Sequence, residues 1–176
     1  PTDAITLKVK KFHLHDEFNE FMDKYLPTVK QEMDGLIFTP INESIRIGTH
    51  ETMFKWKPRN KNTIDFLFKK QPTVETPGCV PGTYTWKMYI QDRGKHIFES
   101  SIPIDRMNDY KWIKSGDIIE CMYVTWEKGP IWWKPVKRRD DKTFPNSRRT
   151  FYRTLVNIKE DIQMKEFLDC RPGRSD

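Results

Sequence analysis

"MFKWKPRNKNTIDF", residues 53–66, decides how the rest of the chain is read. Its bulky and basic residues alternate up to Lys57. "PRNKN", residues 58–62, carries turn chemistry, and "TIDF" opens a second strand. Successive side chains on a strand point to opposite faces. Lys55 and Lys57 therefore share one face, about 6.6 Å apart along the strand. Phe54 and Trp56 are expected on the other face, in a core. Lysine is a compact point charge with three donors, so two of them on one face can converge on one phosphate. A plain solvated strand face would carry the same pattern.

Working downstream, "TIDFLFKK", "TYTWKMYIQ", "KHIFESSI", "DIIECMYVTWE" and "IWWKPVKR" each read as a strand. The dipeptide "RG" and the tripeptide "KGP" read as hairpin breaks. Pro72, Pro77, Gly78, Pro81 and Gly82 mark a long loop over residues 71–82. In "SRRTFYRTLVNI", Phe151, Leu155 and Ile158 have helical spacing, with Asn146 or Ser147 as the cap. Five strands and a terminal helix fit a small Greek-key barrel of the oligonucleotide-binding (OB) type.

Upstream, residues 4–12 alternate like a half-buried strand. Residues 16–26 place Phe18, Phe21, Met22 and Tyr25 at helical spacing, with Pro27 as a stop. "DGLIFTP" (34–40) and "SIRIG" (44–48) are short strand candidates. Two or three strands and one helix cannot close a core. Residues 1–62 therefore read as the end of an α+β domain, residues 63–170 as an OB-fold domain with a C-terminal helix, and residues 171–176 as a linker or tail. Both ends look like cuts in a longer polypeptide.

The formal net charge is +6, and it is focused. Between Lys134 and Arg153 stand eight basic residues and two acids, Asp140 and Asp141. The remainder is therefore close to neutral. A focused basic patch suits a polyanion, either nucleic acid or a nucleoside triphosphate. Six Trp and 13% aromatic residues favour a folded chain over disorder. Cys79, Cys121 and Cys170 form no paired framework, which suits a reducing, intracellular compartment. No apolar run of about 18 residues argues for a membrane span.

Three local patterns carry possible chemistry. Asp34 precedes a glycine and a short apolar strand, where an acid can bind a divalent cation through oxygen or simply make a turn. In "VKRRDDKTFPN", Arg139, Asp141 and Lys142 form an Arg-x-Asp-Lys pattern before a helix. Arginine there offers a planar fork to phosphate oxygens. His13 and His15 beside Asp16 could ligate a metal, although further ligands are lacking and exposed histidines at a turn are the plainer expectation. Trp126, Trp132 and Trp133 could stack bases or fill the barrel.

Taken in order, these elements resemble a known family. "DGLIFTP" is similar to motif IV of the covalent nucleotidyltransferases, "FKWKPRNKNTIDF" to motif V and "KRRDDKTFPN" to motif VI, with a barrel interposed. The Lys-Trp-Lys-Pro core and the trailing "NTIDF" resemble the mRNA capping guanylyltransferases more than the polynucleotide ligases.

The resemblance implies transfer of GMP from GTP, through a lysyl-GMP intermediate, to the 5′-diphosphate end of RNA. A divalent cation, Mg2+ or Mn2+, would assist. It implies that Asp34 lies near the reacting lysine and the metal, and that Lys55 and Lys57 contact the α-phosphate. Arg139, Asp141 and Lys142 would reach the β- and γ-phosphates when the barrel closes. Asp65, inside the motif V pattern, is given no separate chemistry. A fused or associated RNA triphosphatase or methyltransferase is compatible, as is a nuclear location or, for a viral protein, the cytoplasm or virion. The family nucleophile belongs to Lys-x-Asp-Gly, but the single Asp-Gly, Asp34-Gly35, follows Gln31-Glu32-Met33. The chain alone is therefore expected to be inactive. Alternatives are a non-catalytic OB-fold module that binds RNA or protein, and part of an ATP-dependent ligase.

Overall fold

The computed structural model describes residues 7, 9–44, 46–48, 50–72, 84–102, 109–124 and 132–169. The chain forms two compact units, one of residues 1–34 with 163–176 and one of residues 35–162.

In the first unit, residues 15–28 form a continuous helical run with α1 (Phe18–Glu20) inside it. The apolar spacing read from the sequence becomes a ring ladder. Phe18 and Phe21 stack at 5.9 Å, and Phe21 and Tyr25 at 5.7 Å. Phe167 of α3 (Glu166–Asp169) meets Phe18 edge-on. The strand expected over residues 4–12 is not formed at its described positions, where Leu7 and Val9 are almost fully exposed. Alternation alone does not make a strand, because the backbone needs a neighbouring strand for its N–H and C=O groups. Nor are both histidines exposed. His13 lies against Phe21 and Tyr25, with ring centroids 5.2 and 4.6 Å away.

In the second unit, β1 (Leu36–Phe38) and β2 (Phe54–Trp56) pair antiparallel, with Leu36 opposite Trp56 and Phe38 opposite Phe54. Gly35 makes this pairing possible. Its φ is +154°, and a Cβ there would lie 1.9 Å from the Trp56 carbonyl oxygen. The described residues of 44–48 form no strand. Phe54 corrects another expectation. It is 65% exposed and lies in no core, because a two-stranded ribbon has no second layer to bury it against.

Five strands follow: β3 (Thr63–Pro72), β4 (Tyr84–Asp92), β5 (Lys95–Ser101), β6 (Ile118–Val124) and β7 (Trp132–Arg138). They form one antiparallel sheet in the order β5-β4-β3-β6-β7, and its edges β5 and β7 also approach each other. Arg93 and Gly94, both at positive φ, make the tight β4–β5 hairpin. Residues 73–83 and the "KGP" break lie outside the described residues.

Ile64, Phe66 and Phe68 of β3 and Met88 and Ile90 of β4 face inward and are fully buried. Helix α2 (Arg148–Glu160) covers this core with Phe151 and Ile158. Ser147 caps it, its hydroxyl accepting from the Thr150 N–H at 3.1 Å. Trp133 belongs to the core, its ring 5.4 Å from Phe66, so it is no base-stacking platform. Trp126 and the Trp132 side chain lie outside the described residues. The fold is an α+β part followed by an OB-fold barrel with a C-terminal helix. No helix among the described residues is long and apolar enough to cross a membrane.

Candidate active site

Lys55 and Lys57 open onto one cavity, together with Asn62 and Thr63 at the start of β3 and Thr154 and Asn157 of α2. Several contacts set these walls. The Trp56 indole N–H donates to the Ile162 carbonyl at 2.8 Å. The Asn62 amide donates to the Pro58 carbonyl at 3.1 Å and folds the 58–62 turn on itself. Arg59 lies 3.7 Å from the Asp161 carboxylate, just past the end of α2. The segment carrying both lysines is thus tied to the residues just after the helix that forms the opposite wall.

Arg139, Asp141 and Lys142 come together on the β7–α2 connection, and their hub is Asp65. Arg139 donates through Nε and Nη2 to the Asp141 carboxylate at 2.9 and 2.8 Å. Its Nη1 lies 3.1 Å from each Asp65 carboxylate oxygen. Lys142 Nζ donates to Asp65 Oδ2. The Asp65 N–H donates to the Asn146 side-chain oxygen, and the Asn146 N–H donates back to the Asp65 carbonyl, both at 2.8 Å. Asp65 is 4% exposed. A buried carboxylate is stable only when paired, and here two cations do that while the clamp to Asn146 fixes the Asp65 backbone.

The two groups are linked. The Thr63 hydroxyl, in the lysine-lined cavity, donates to Glu120 Oε1 at 2.8 Å. The other Glu120 oxygen lies 3.8 Å from Arg139 Nη1. Burial works against ionising Glu120. Hydrogen bonds from Thr63 and Lys137, with the charges of Lys137 and Arg139, nevertheless hold its pKa below the usual value. The Arg139 hydrogen bonds draw Asp141 down to about 2, and Arg139 itself is raised, chiefly by Asp141. Arginine has five N–H donors, and these contacts leave at least one on Nη2 for a phosphate oxygen. The fork is therefore oriented before any ligand arrives.

Asp34 directly precedes Gly35 and belongs to the other unit. Among the described residues, no group of three His, Cys, Asp or Glu could hold a metal ion, and none includes His13, His15 and Asp16. Sequence reasoning missed Asp65, Glu120 and Asn146. Asp65 did leave a signal: one acid within the apolar run of β3, in a chain whose basic surplus is concentrated in one segment.

The chain matches the family model for the mRNA capping enzyme catalytic domain over residues 1–59. It matches that for the mRNA capping enzyme C-terminal domain over residues 61–168. The chain belongs to the mRNA capping enzyme family. It is 30% identical to the mRNA-capping enzyme of Caenorhabditis elegans over 85% of this chain and 23% of that one. It is 25% identical to the mRNA-capping enzyme subunit alpha of Schizosaccharomyces pombe over 93% of this chain and 42% of that one. With the Neurospora crassa alpha subunit the identity is 32% over 97% and 48%. The chain thus spans less than half the length of each of these relatives. In this chain the lysine-lined cavity takes Lys55 and Lys57 from the first matched range and Asn62, Thr63, Thr154 and Asn157 from the second.

Proposed function

We propose that this chain is the phosphate-handling part of an mRNA capping guanylyltransferase. In the first step a lysine Nζ attacks the α-phosphorus of GTP. An N–P bond forms, the bond to the bridging oxygen breaks, and pyrophosphate leaves. In the second step a terminal oxygen of 5′-diphosphate RNA attacks the same phosphorus and releases the lysine.

Lys55 and Lys57 stabilise negative charge at the α-phosphate, and Arg139 and Lys142 hold the departing β- and γ-oxygens. Asp141 orients Arg139. A divalent cation of the Mg2+ type binds through one or two carboxylates plus substrate phosphates; Asp34 is the carboxylate that the motif resemblance assigns to it, and the ion would neutralise phosphate charge. Lys-x-Asp-Gly is not found among the 176 residues, so the nucleophile is assigned to polypeptide outside this chain.

One observation carries this proposal: Lys55 and Lys57 line a single cavity. Incubation with radiolabelled GTP and Mg2+ should give no acid-stable labelled band at 21.2 kDa. Joined to the polypeptide that carries the nucleophile, the chain should support labelling. Lys55→Ala or Lys57→Ala should then abolish it, while Lys142→Ala should slow it and spare transfer of preloaded GMP to RNA. A labelled band from the chain alone, or full labelling by the Lys55 and Lys57 variants, would contradict the assignment.

A further inference from the structure

The outer face of the barrel carries a second feature that the phosphate chemistry does not use. Directly paired residues of an antiparallel sheet project to the same side. Lys69 pairs with Lys87, Leu67 with Tyr89, and Tyr89 with Phe98. These residues alternate with the inward-facing Phe68, Trp86, Met88 and Ile90, so they lie on the opposite face of β3, β4 and β5, where Leu67 is buried and Lys69, Lys87 and Tyr89 are half-buried. Lys69 Nζ lies 5.0 Å from the Tyr89 ring centroid, and Lys87 Nζ 5.3 Å from that of Phe98. Tyr89 and Phe98 meet edge-to-face at 6.0 Å. Phe98 is 49% exposed. His96, two residues from Phe98 along β5, is exposed as well.

A strand face that only had to meet water would not need two adjoining rings, Tyr89 and the half-exposed Phe98, each with one lysine over it. Aromatic rings interleaved with cations are what unpaired nucleotides require: rings to stack on and ammonium groups for the phosphates between them. The lysines in these cation–π contacts are half-buried rather than fully buried, so an ammonium group can be exchanged onto a phosphate. The strip lies on the same side of β3 as the cluster described above, with the buried Leu67 between them. Asp65, Leu67 and Lys69 share one face of β3, and Asp65 and Lys69 lie about 13 Å apart along the strand.

We propose that Lys69, Lys87, Tyr89 and Phe98 form a track for single-stranded RNA that leads toward the Asp65–Arg139 cluster. The inference rests on the capping function proposed above and specifies where the acceptor RNA lies. An acidic or phosphorylated peptide would use the lysines but would have no planar bases for Phe98.

The test is fluorescence anisotropy of the 176-residue protein with a labelled 12-nucleotide single-stranded RNA across a salt series. GTP binding is measured in parallel, and thermal melting checks that each variant folds. Phe98→Ala should weaken RNA binding about fivefold or more, and Phe98→Tyr should restore it. Lys69→Ala and Lys87→Ala should each lower the slope of log affinity against log salt by about 0.7. All three alanine variants should leave GTP binding unchanged. RNA affinity and salt slope unchanged in folded variants would overturn the track, even if GTP binding persists. So would an acidic phosphopeptide that competes as well as unlabelled RNA, with Phe98→Ala silent. Strip-dependent RNA binding without any GTP binding would instead retain the track and sink the guanylyltransferase assignment.

Discussion

Asp65 and Arg139 face each other across β3 and the β7–α2 connection, with Nη1 of the guanidinium 3.1 Å from both carboxylate oxygens. This pair joins the start of the barrel to the loop that carries Arg139, Asp141 and Lys142. Asp65→Asn keeps the size and the backbone clamp to Asn146 but removes the charge that holds two cations. The variant should lose about 1–3 kcal/mol of stability, a value tempered by the partial exposure of Arg139 and Lys142. Urea denaturation with an unchanged midpoint would show that the pair anchors nothing.

Asp141 should titrate far below an ordinary aspartate. Its folded pKa, about 2, lies below its unfolded value. Its contribution is therefore fully present above the unfolded pKa and is lost as the pH falls toward about 2. A carboxyl carbon NMR titration should place the Asp141 midpoint near that value. In Arg139→Ala it should return to the ordinary range. A midpoint near 4 in the unaltered protein would mean that the Arg139–Asp141 fork does not persist in solution.

Cys121 is buried in the core, and its thiol is pushed well up by burial and by the nearby Asp65 and Glu120 charges. Thiolate is the reactive form. In native protein at pH 8, alkylation followed by peptide mass mapping should leave Cys121 unmodified, and it should react only once the chain is denatured. Modification at the rate of a free thiol would place it outside the core.

Gly35→Ala puts a methyl group against the Trp56 carbonyl in a conformation that side chains rarely adopt. The β1–β2 pairing should open at Leu36 and Trp56, with loss of amide protection there and a shift of Trp56 fluorescence. Unchanged protection would show that the two backbones need not approach so closely.

The barrel was legible in the sequence because its strands are rich in β-branched and aromatic residues and are separated by turn signals. Ile64, Phe66 and Phe68 declare their side of β3 without help from distant residues. The α+β part was less legible. Leu7, Val9 and Phe54 carry the pattern of a half-buried strand, yet each is exposed, because burial depends on a partner layer that a local pattern does not specify. At the site, Lys55, Lys57, Arg139, Asp141 and Lys142 were singled out by the resemblance of their motifs; spacing and charge alone left a plain solvated face equally open. Asp65 was not given a role, since what matters about it is which residues far along the chain fold onto it. Arg139 is 74 positions away and Asn146 is 81.

The central claim is that two sets of groups, the lysines of the cavity and the Arg139 cluster, act on different phosphates of one nucleoside triphosphate. Calorimetry with GTP and GMP on Lys57→Ala and Arg139→Ala tests it most directly. Lys57→Ala should weaken both nucleotides roughly tenfold or more, whereas Arg139→Ala should weaken GTP to a similar degree and leave GMP unchanged. Equal loss of GTP and GMP in Arg139→Ala, or no loss of either, would contradict the claim.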